Sequence, residues 1–210
     1  MIQNNQEFSL PRELARKTFH IFLLTLPLGY YFLGRWNTLK IIAPITAIIF
    51  LFDYYRGKNK TIEAIFNKIF GIVLRQKEQK DQLLGITWTF LSACAIFLLC
   101  KKEIAIISFL ILAICDFLAA IVGKTIKSKP FFEKSFAGSC AFYISGVIIL
   151  FASVAFFNLG FWFFFFALFA LFTSTIIEAR PSYFSIDDNF TIPVSFAAIM
   201  TIFDLMWNII

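Results

Sequence analysis

Only one histidine, His20, occurs in the 210 residues, and the four cysteines (Cys94, Cys100, Cys115 and Cys140) contain no CxxC pair. Multi-histidine metal centres and cysteine zinc sites are therefore excluded. No disulfide framework follows either, because all four thiols fall in apolar runs. Charge is scarce: Asp, Glu, Lys and Arg make up 15% of the chain, while the apolar set reaches 60% and mean hydropathy is +0.80. A soluble domain carries about 25% charged and about 45–50% apolar residues, so a bilayer-embedded chain is indicated. Strand-like alternation is missing too. Residues 161–168 are apolar without a break, which excludes the in/out pattern of a transmembrane barrel and leaves helices to cross the membrane. No A-x-A-like site closes the first apolar run, which predicts an uncleaved anchor. A GxxxxGK[ST] loop is also lacking, which excludes a Walker A motif.

What is present is a series of apolar runs close to the ~20 residues that a helix needs to cross hydrocarbon. They predict an all-α, polytopic membrane bundle of about seven transmembrane helices. The expected spans are 19–33, 41–55, 83–100, 104–122, 136–157, 161–177 and 190–210, within a single domain over 1–210. The second is short enough to suggest tilt or re-entry. The thirty Phe residues read as lipid-facing bulk. Ile62, Ile65, Phe66, Ile69, Phe70 and Val73 recur at helical spacing, with Lys60, Glu63, Lys68 and Arg75 beside or between them. This pattern predicts an amphipathic helix lying in the cytoplasmic interface.

Positive charge sorts by side. The side shared with the N-terminus takes 15 of the 19 Lys and Arg residues, leaving Arg35, Lys40, Lys101 and Lys102 for the other. The positive-inside rule makes the richer side cytoplasmic. A net charge of +6 held in membrane loops points to anionic lipid and an anionic substrate rather than to nucleic acid.

Four constellations then fall on that side. Glu13, Arg16, Lys17 and His20 share a helical face, with Ser9 as an expected N-cap and Pro11 in the first turn. The same face also suits an interfacial stripe snorkelling to water. Asp116 lies within an apolar run, ~10 Å inside its cytoplasmic end at 1.5 Å per residue. An intramembrane carboxylate costs at least ~2.5–3.5 kcal/mol on insertion scales, which makes it a functional candidate, and a paired helix contact is the alternative. The segment 123–138 carries Gly123, Lys124, Lys127, Lys129, Lys134, Ser135 and Gly138, which suits a polyphosphate cradle or a topogenic basic loop. Glu178 is followed by Asp187, Asp188 and Asn189, hard oxygen ligands suited to Mg²⁺ or to helix capping.

These residues, in this order, resemble the CTP-dependent lipid kinases: dolichol kinase, phytol and farnesol kinases and CTP-dependent diacylglycerol kinase. The blocks are Glu13-Leu-Ala-Arg16-Lys17-Thr-Phe-His20, Arg75-Gln-Lys-Glu78 leading to Gly85-Ile-Thr-Trp88, and Asp116-Phe-Leu-Ala119-Ala-Ile-Val-Gly123. They continue with Lys134-Ser135-Phe-Ala-Gly138-Ser139, and with Glu178 ahead of Asp187-Asp188-Asn189-Phe-Thr-Ile-Pro193. Two positions depart from the pattern. Lys127 stands where such chains often have a second glycine, and Ala137 where they often have an acidic residue. The resemblance implies Mg²⁺-dependent transfer of the γ-phosphoryl of CTP to a membrane lipid alcohol, while the short chain without a transit peptide suggests a bacterial inner membrane. On that reading Arg16, Lys17, Gly123, Lys124, Lys134, Ser135 and Gly138 hold the nucleotide phosphates. Asp187, Asp188 and Asn189 hold the metal. Asp116 or Glu178 accepts the hydroxyl proton, and Glu13, His20, Arg75 and Glu78 are further motif positions. A phosphatidate cytidylyltransferase is the rival enzyme, but its His-Gly-Gly element cannot be built with His20 alone. A transporter or non-catalytic scaffold is the rival from another class, and it would favour midplane charges and internal repeats.

Overall fold

Almost every described residue is helical, as a chain must be if its backbone polar groups are to be satisfied within lipid. The computed structural model describes residues 22–59, 83–181, 183 and 186–210. The expected Ser9 cap, the Glu13–His20 face, Arg75, Glu78 and the interfacial helix over 62–73 lie outside the described residues.

Helix α1 (Thr25–Lys58) is broken at Gly34, whose φ of 72° and ψ of 176° fall in a region open essentially to glycine alone. Beyond the break the chain doubles back. Thr38 Oγ1 donates to Gly29 O at 3.4 Å, although nine residues of continuous helix would separate them by about 13.5 Å along the axis. The two arms, 25–33 and 35–58, are therefore antiparallel. They correspond to the first two expected spans, and the second arm is long enough to need no re-entrant geometry.

Helix α2 (Gly85–Leu99) is only 15 residues long. Helix α3 (Lys102–Thr125) contains a π-helical turn over Ile111–Cys115, directly before Asp116. A two-residue-per-strand hairpin follows, β1 (Pro130–Phe131) against β2 (Lys134–Ser135), with Phe132 at a φ of 52° in its turn. Helices α4 (Phe136–Phe157), α5 (Phe161–Ala179) and α6 (Asp188–Trp207) complete the chain.

Among the described residues five helices (α1, α3, α4, α5 and α6) are long and apolar enough to cross a membrane, with α2 a shorter apolar helix. A helical membrane bundle is thus shown, with five helices of spanning length and composition among the described residues rather than seven; the first two expected spans are arms of one broken element and the third is the 15-residue α2.

Helix α3 is the central one: 67% of its apolar window is buried, against 22–39% for the other four. Its first half packs against α1 and α6, and its last turns pack on α4. Around it α1 meets α2, α2 meets α6, α6 meets α5, and α5 meets α4. Phe97, Phe109, Phe142, Phe163 and Phe196 are fully buried in the core, whereas Phe151, Phe161 and Phe165 point outward, as expected of a surface solvated by lipid.

The up-and-down course brings polar residues to two opposite ends. One end holds Asp53, Asp116, Lys134, Glu178 and Asp188; the other holds Arg35, Lys101 and Asp204.

Candidate functional site

The first end carries a cluster that three separate elements supply. Asp116 begins the α-helical half of α3, Glu178 lies in the last turn of α5, and Asp188 in the first turn of α6. All three are buried, with 2%, 2% and 6% exposure. Lys134 of β2 reaches into them. Its ammonium pairs with Glu178 Oε1 and lies 3.9 Å from Asp188 Oδ2. It also feels the charge of Asp116. Burial alone would lower the lysine's pKa, but Glu178, Asp188 and Asp116 outweigh that effect, and the value lies above that of an ordinary lysine. Lys134 is therefore a charged cation that sits among three carboxylates.

The hairpin is what aims Lys134. Phe136 N donates to Lys129 O at 2.9 Å, and Glu133 N donates to Ala179 O at 3.0 Å, which ties the turn to the end of α5 beside Glu178. Ser135 then caps α4, its Oγ accepting from Gly138 N at 3.2 Å. Below it, α3 and α4 touch through glycines. A Cβ on Gly138 would lie 2.9 Å from Ala119 O and 3.3 Å from the Gly123 Cα, and one on Gly123 would lie 2.7 Å from Ser135 Oγ. Gly123, Gly138 and Ser135 are thus accounted for by close helix packing and capping, which holds Lys134 over Asp116. Lys124 sits in the last turn of α3, exposed, where its charge complements the helix C-terminus.

The Asp187-Asp188-Asn189 triplet divides by role. Asp187 is the N-cap of α6, its Oδ1 accepting from Asn189 N at 3.0 Å and from Asn189 Nδ2 at 2.6 Å. Asn189 O accepts from Ser92 Oγ at 3.3 Å, which anchors α6 to α2. Asp188 alone of the three turns towards Lys134. Among the described residues no group of three or more His, Cys, Asp and Glu side chains is arranged to hold a metal by itself.

Two buried side-chain atoms near this end have no hydrogen-bond partner among the described residues: Glu178 Oε2 and Ser139 Oγ. Asp116 and Asp188 are hard oxygen donors of the kind that suits Mg²⁺ sharing its shell with substrate phosphates and water, and Glu178 Oε2 is a buried acceptor open to a further donor.

The sequence reading missed a neighbouring knot. Asp53 Oδ1 accepts from Arg56 Nε at 3.0 Å, and Asp53 Oδ2 accepts from Leu84 N at 2.6 Å and Thr87 Oγ1 at 2.7 Å. Both charged residues are buried. Arg56 counted only as a topogenic charge in the sequence, and Asp53 was passed over. The available signal was an acid three residues before an arginine at the end of an apolar run, a spacing that puts both on one helical face.

Comparison with known proteins gives two kinds of likeness. Over 194 residues the chain is 34% identical to the uncharacterized protein RP860 of Rickettsia prowazekii, covering 91% of this chain and 94% of that one. It is also 28% identical over 148 residues to CTP-dependent diacylglycerol kinase 1 of Eremothecium gossypii, and 29% identical over 147 residues to that of Saccharomyces cerevisiae. Each of these matches covers 68% of this chain but only 46% and 50% of the respective kinase, so the chain spans about half the length of those two relatives. No family model and no solved structure matches the chain.

Proposed function

The chain belongs to the family of the Rickettsia prowazekii protein RP860, and we propose that it is a CTP-dependent lipid kinase, transferring the γ-phosphoryl group to the hydroxyl of a membrane lipid alcohol. The observation that carries this reading is the convergence of Asp116, Lys134, Glu178 and Asp188 on one end of the bundle, with Glu178 Oε2 unpartnered among the described residues. The likeness to two CTP-dependent diacylglycerol kinases supplies the nucleotide and the class of acceptor.

Phosphoryl transfer requires mainly positioning and charge stabilisation. Lys134, charged and held by the hairpin, is suited to the phosphate oxygens, with Lys124 nearby on the rim. Arg16 and Lys17, outside the described residues, are proposed as further phosphate contacts. Asp116 and Asp188 would hold Mg²⁺, with Asp187 and Asn189 as capping neighbours that fix Asp188. When bound, that ion would supply neutralisation of the phosphate charge. Glu178 would act as the base: Lys134 orients one of its oxygens, which leaves the other to accept the hydroxyl proton. The lipid tail stays among acyl chains while its hydroxyl meets the cluster at the interface. The end that bears Arg56, Lys58, Lys124, Lys127, Lys129 and Arg180 faces the cytoplasm on this reading, which puts the nucleotide site in reach of cytosolic CTP.

Incubation of the purified protein with Mg²⁺, a panel of lipid alcohols and CTP labelled at the γ or the α phosphate tests the proposal. The expected result is γ label in the lipid fraction. Label from the α position in lipid would identify a cytidylyltransferase instead, and label in neither would remove the catalytic reading.

A further inference from the structure

Buried hydroxyls on these helices normally find a partner. Ser145, Ser174 and Thr175 each donate to the carbonyl four residues back, at 2.7, 3.0 and 2.8 Å. Ser139, 4% exposed, makes no such bond among the described residues, and neither does Glu178 Oε2. Leaving such atoms unpaired is costly, so a buried pair of them calls for an occupant.

Helical register sets the two opposite each other. α4 and α5 run antiparallel, and a Cβ built on Gly146 of α4 would come within 2.4 Å of Leu171 Cδ1 on α5. Seven residues are about two turns of helix. Stepping from Gly146 to Ser139, and from Leu171 to Glu178, therefore moves by the same rise along the same two faces towards the same end. The Glu133 N to Ala179 O bond fixes that level independently, since it joins the hairpin leading into α4 to the last turn of α5. Ser139 and Glu178 thus face one another across the α4–α5 interface, below Lys134.

We propose that Ser139 Oγ and Glu178 Oε2 form the seat of the acceptor hydroxyl of a lipid alcohol. The inference rests on the kinase reading and adds to it a residue, Ser139, and a mode of recognition. A carboxylate oxygen only accepts hydrogen bonds, a serine hydroxyl can donate one, and an alcohol does both. The substrate hydroxyl donates to Glu178 and accepts from Ser139, so both orphans are satisfied by one group. In the transfer step the substrate oxygen forms its bond to the γ-phosphorus while the bond from that phosphorus to the β–γ bridging oxygen breaks. CDP departs with the electron pair, and the hydroxyl proton passes to Glu178 Oε2. A methyl ether lacks the hydrogen that this geometry requires.

Thermal unfolding of the purified full chain in detergent, without nucleotide, tests the seat. The probes are dioctanoylglycerol and farnesol, each beside its methyl ether. In the wild type both alcohols raise the midpoint and the ethers do not. Ser139→Ala removes an unsatisfied hydroxyl, so its lipid-free midpoint equals or exceeds the wild type's. Its apparent affinity for the alcohols falls about five- to tenfold, the equivalent of one hydrogen bond. In turnover the acceptor KM rises by the same factor and the CTP KM is unchanged. Should the alanine variant fail to fold, Ser139→Cys, of similar size but a weaker donor, gives the same direction with a smaller change.

Ethers that stabilise as well as alcohols overturn the seat. So does a Ser139→Ala protein with a lowered lipid-free midpoint and acceptor affinity within twofold of wild type, which marks a structural hydroxyl or a buried water. The two readings separate cleanly. Alcohol binding that depends on Ser139 without any γ transfer keeps the seat and removes the kinase. Transfer that ignores Ser139 keeps the kinase and removes the seat.

Discussion

Both ends of this bundle bury a carboxylate beside a lysine, yet the two are wired differently. At the far end Asp204 meets Lys101 one to one, with Lys101 Nζ 3.1 Å from Asp204 Oδ1 and 2.9 Å from Oδ2. Asp204 Oδ1 also accepts from Ile210 N at 3.1 Å, and Lys101 Nζ donates to Ile210 O at 3.0 Å. Arg35 closes the same corner by donating to Cys100 O at 2.6 Å. Charge and hydrogen bonds balance, and the group pins the α2–α3 turn to the end of α6. At the near end Lys134 is shared between Glu178 and Asp188 with Asp116 close by, and among the described residues Glu178 Oε2 has no hydrogen-bond partner. A balanced pair is what a fold needs to close a corner. Buried polar atoms left unpaired cost stability, and holding them in place with a hairpin and a glycine contact is what a binding site requires.

The largest expected effect that separates the two ends is on catalysis. Glu178→Gln preserves size and the hydrogen bond from Lys134 but removes the base, so turnover with γ-labelled CTP should fall about 10²–10⁴-fold. Its unfolding midpoint should stay close to wild type, because one of three mutually repelling carboxylates has gone. A variant that keeps more than a tenth of wild-type turnover would strip Glu178 of the role of base.

Next in size is a change in stability at the same end. Lys134→Met leaves Asp116, Glu178 and Asp188 without the ammonium that faces them, and uncompensating a buried pair costs about 3–5 kcal/mol. With the lysine side chain 28% exposed, the lower part of that range is expected. Denaturant unfolding at about pH 7 measures it, and part of the loss should return in mild acid as the carboxylates take up protons. No loss at about pH 7 would mean that Lys134 is not the counter-charge that holds this cluster together.

The near-end acids were legible in the sequence because each broke a rule there. Asp116 interrupts an apolar run, Glu178 ends one, and a lysine-rich segment lies between them. Their meeting was legible only through the order of the helices, since Lys134 and Glu178 are 44 residues apart. What escaped was set by backbone geometry or long-range partners. Gly34 looks like any glycine in an apolar run until its ψ of 176° reverses the chain. The π-helical turn over Ile111–Cys115 leaves no compositional mark, although such turns often accompany functional sites. Asp53 passes unremarked near the end of an expected span, because the groups that explain it, Leu84 N and Thr87 Oγ1, lie 31 and 34 residues further on. In the sequence the acidic triplet suits Mg²⁺ or a helix cap alike, and only backbone geometry shows that Asp187 caps α6 and that Asp188 faces Lys134.

A smaller effect, opposite in kind, is expected at the far end. Asp204→Asn weakens the bond from Lys101 and the clasp on Ile210, while turnover should be unchanged. Charge-assisted hydrogen bonds contribute about 1.5–3 kcal/mol. Lys101 is 42% exposed and therefore screened by solvent, so a loss of about 1–2 kcal/mol is expected by denaturant unfolding. A fall in turnover without a fall in stability would break the contrast between a structural and a functional end.

The smallest effect is a matter of pH, and its sign follows from Lys134. The folded-state pKa of this lysine lies above the reference value of 10.5, because Glu178, Asp188 and Asp116 outweigh the burial that opposes its charge. The folded form therefore holds the proton more tightly than the unfolded chain does. The stability that results is complete below 10.5 and is lost as pH rises through the raised folded value. Lys134→Met has no such proton to lose. The gap in stability between wild type and Lys134→Met should thus stay constant from about pH 7 to about pH 10 and narrow above that, in unfolding curves measured in parallel. Other lysines and tyrosines titrate in both proteins and cancel in the difference. A gap that widens in alkali would mean that the ammonium is disfavoured in the fold, with burial stronger than its three acidic neighbours, and the near end would then lack the cation on which its chemistry depends.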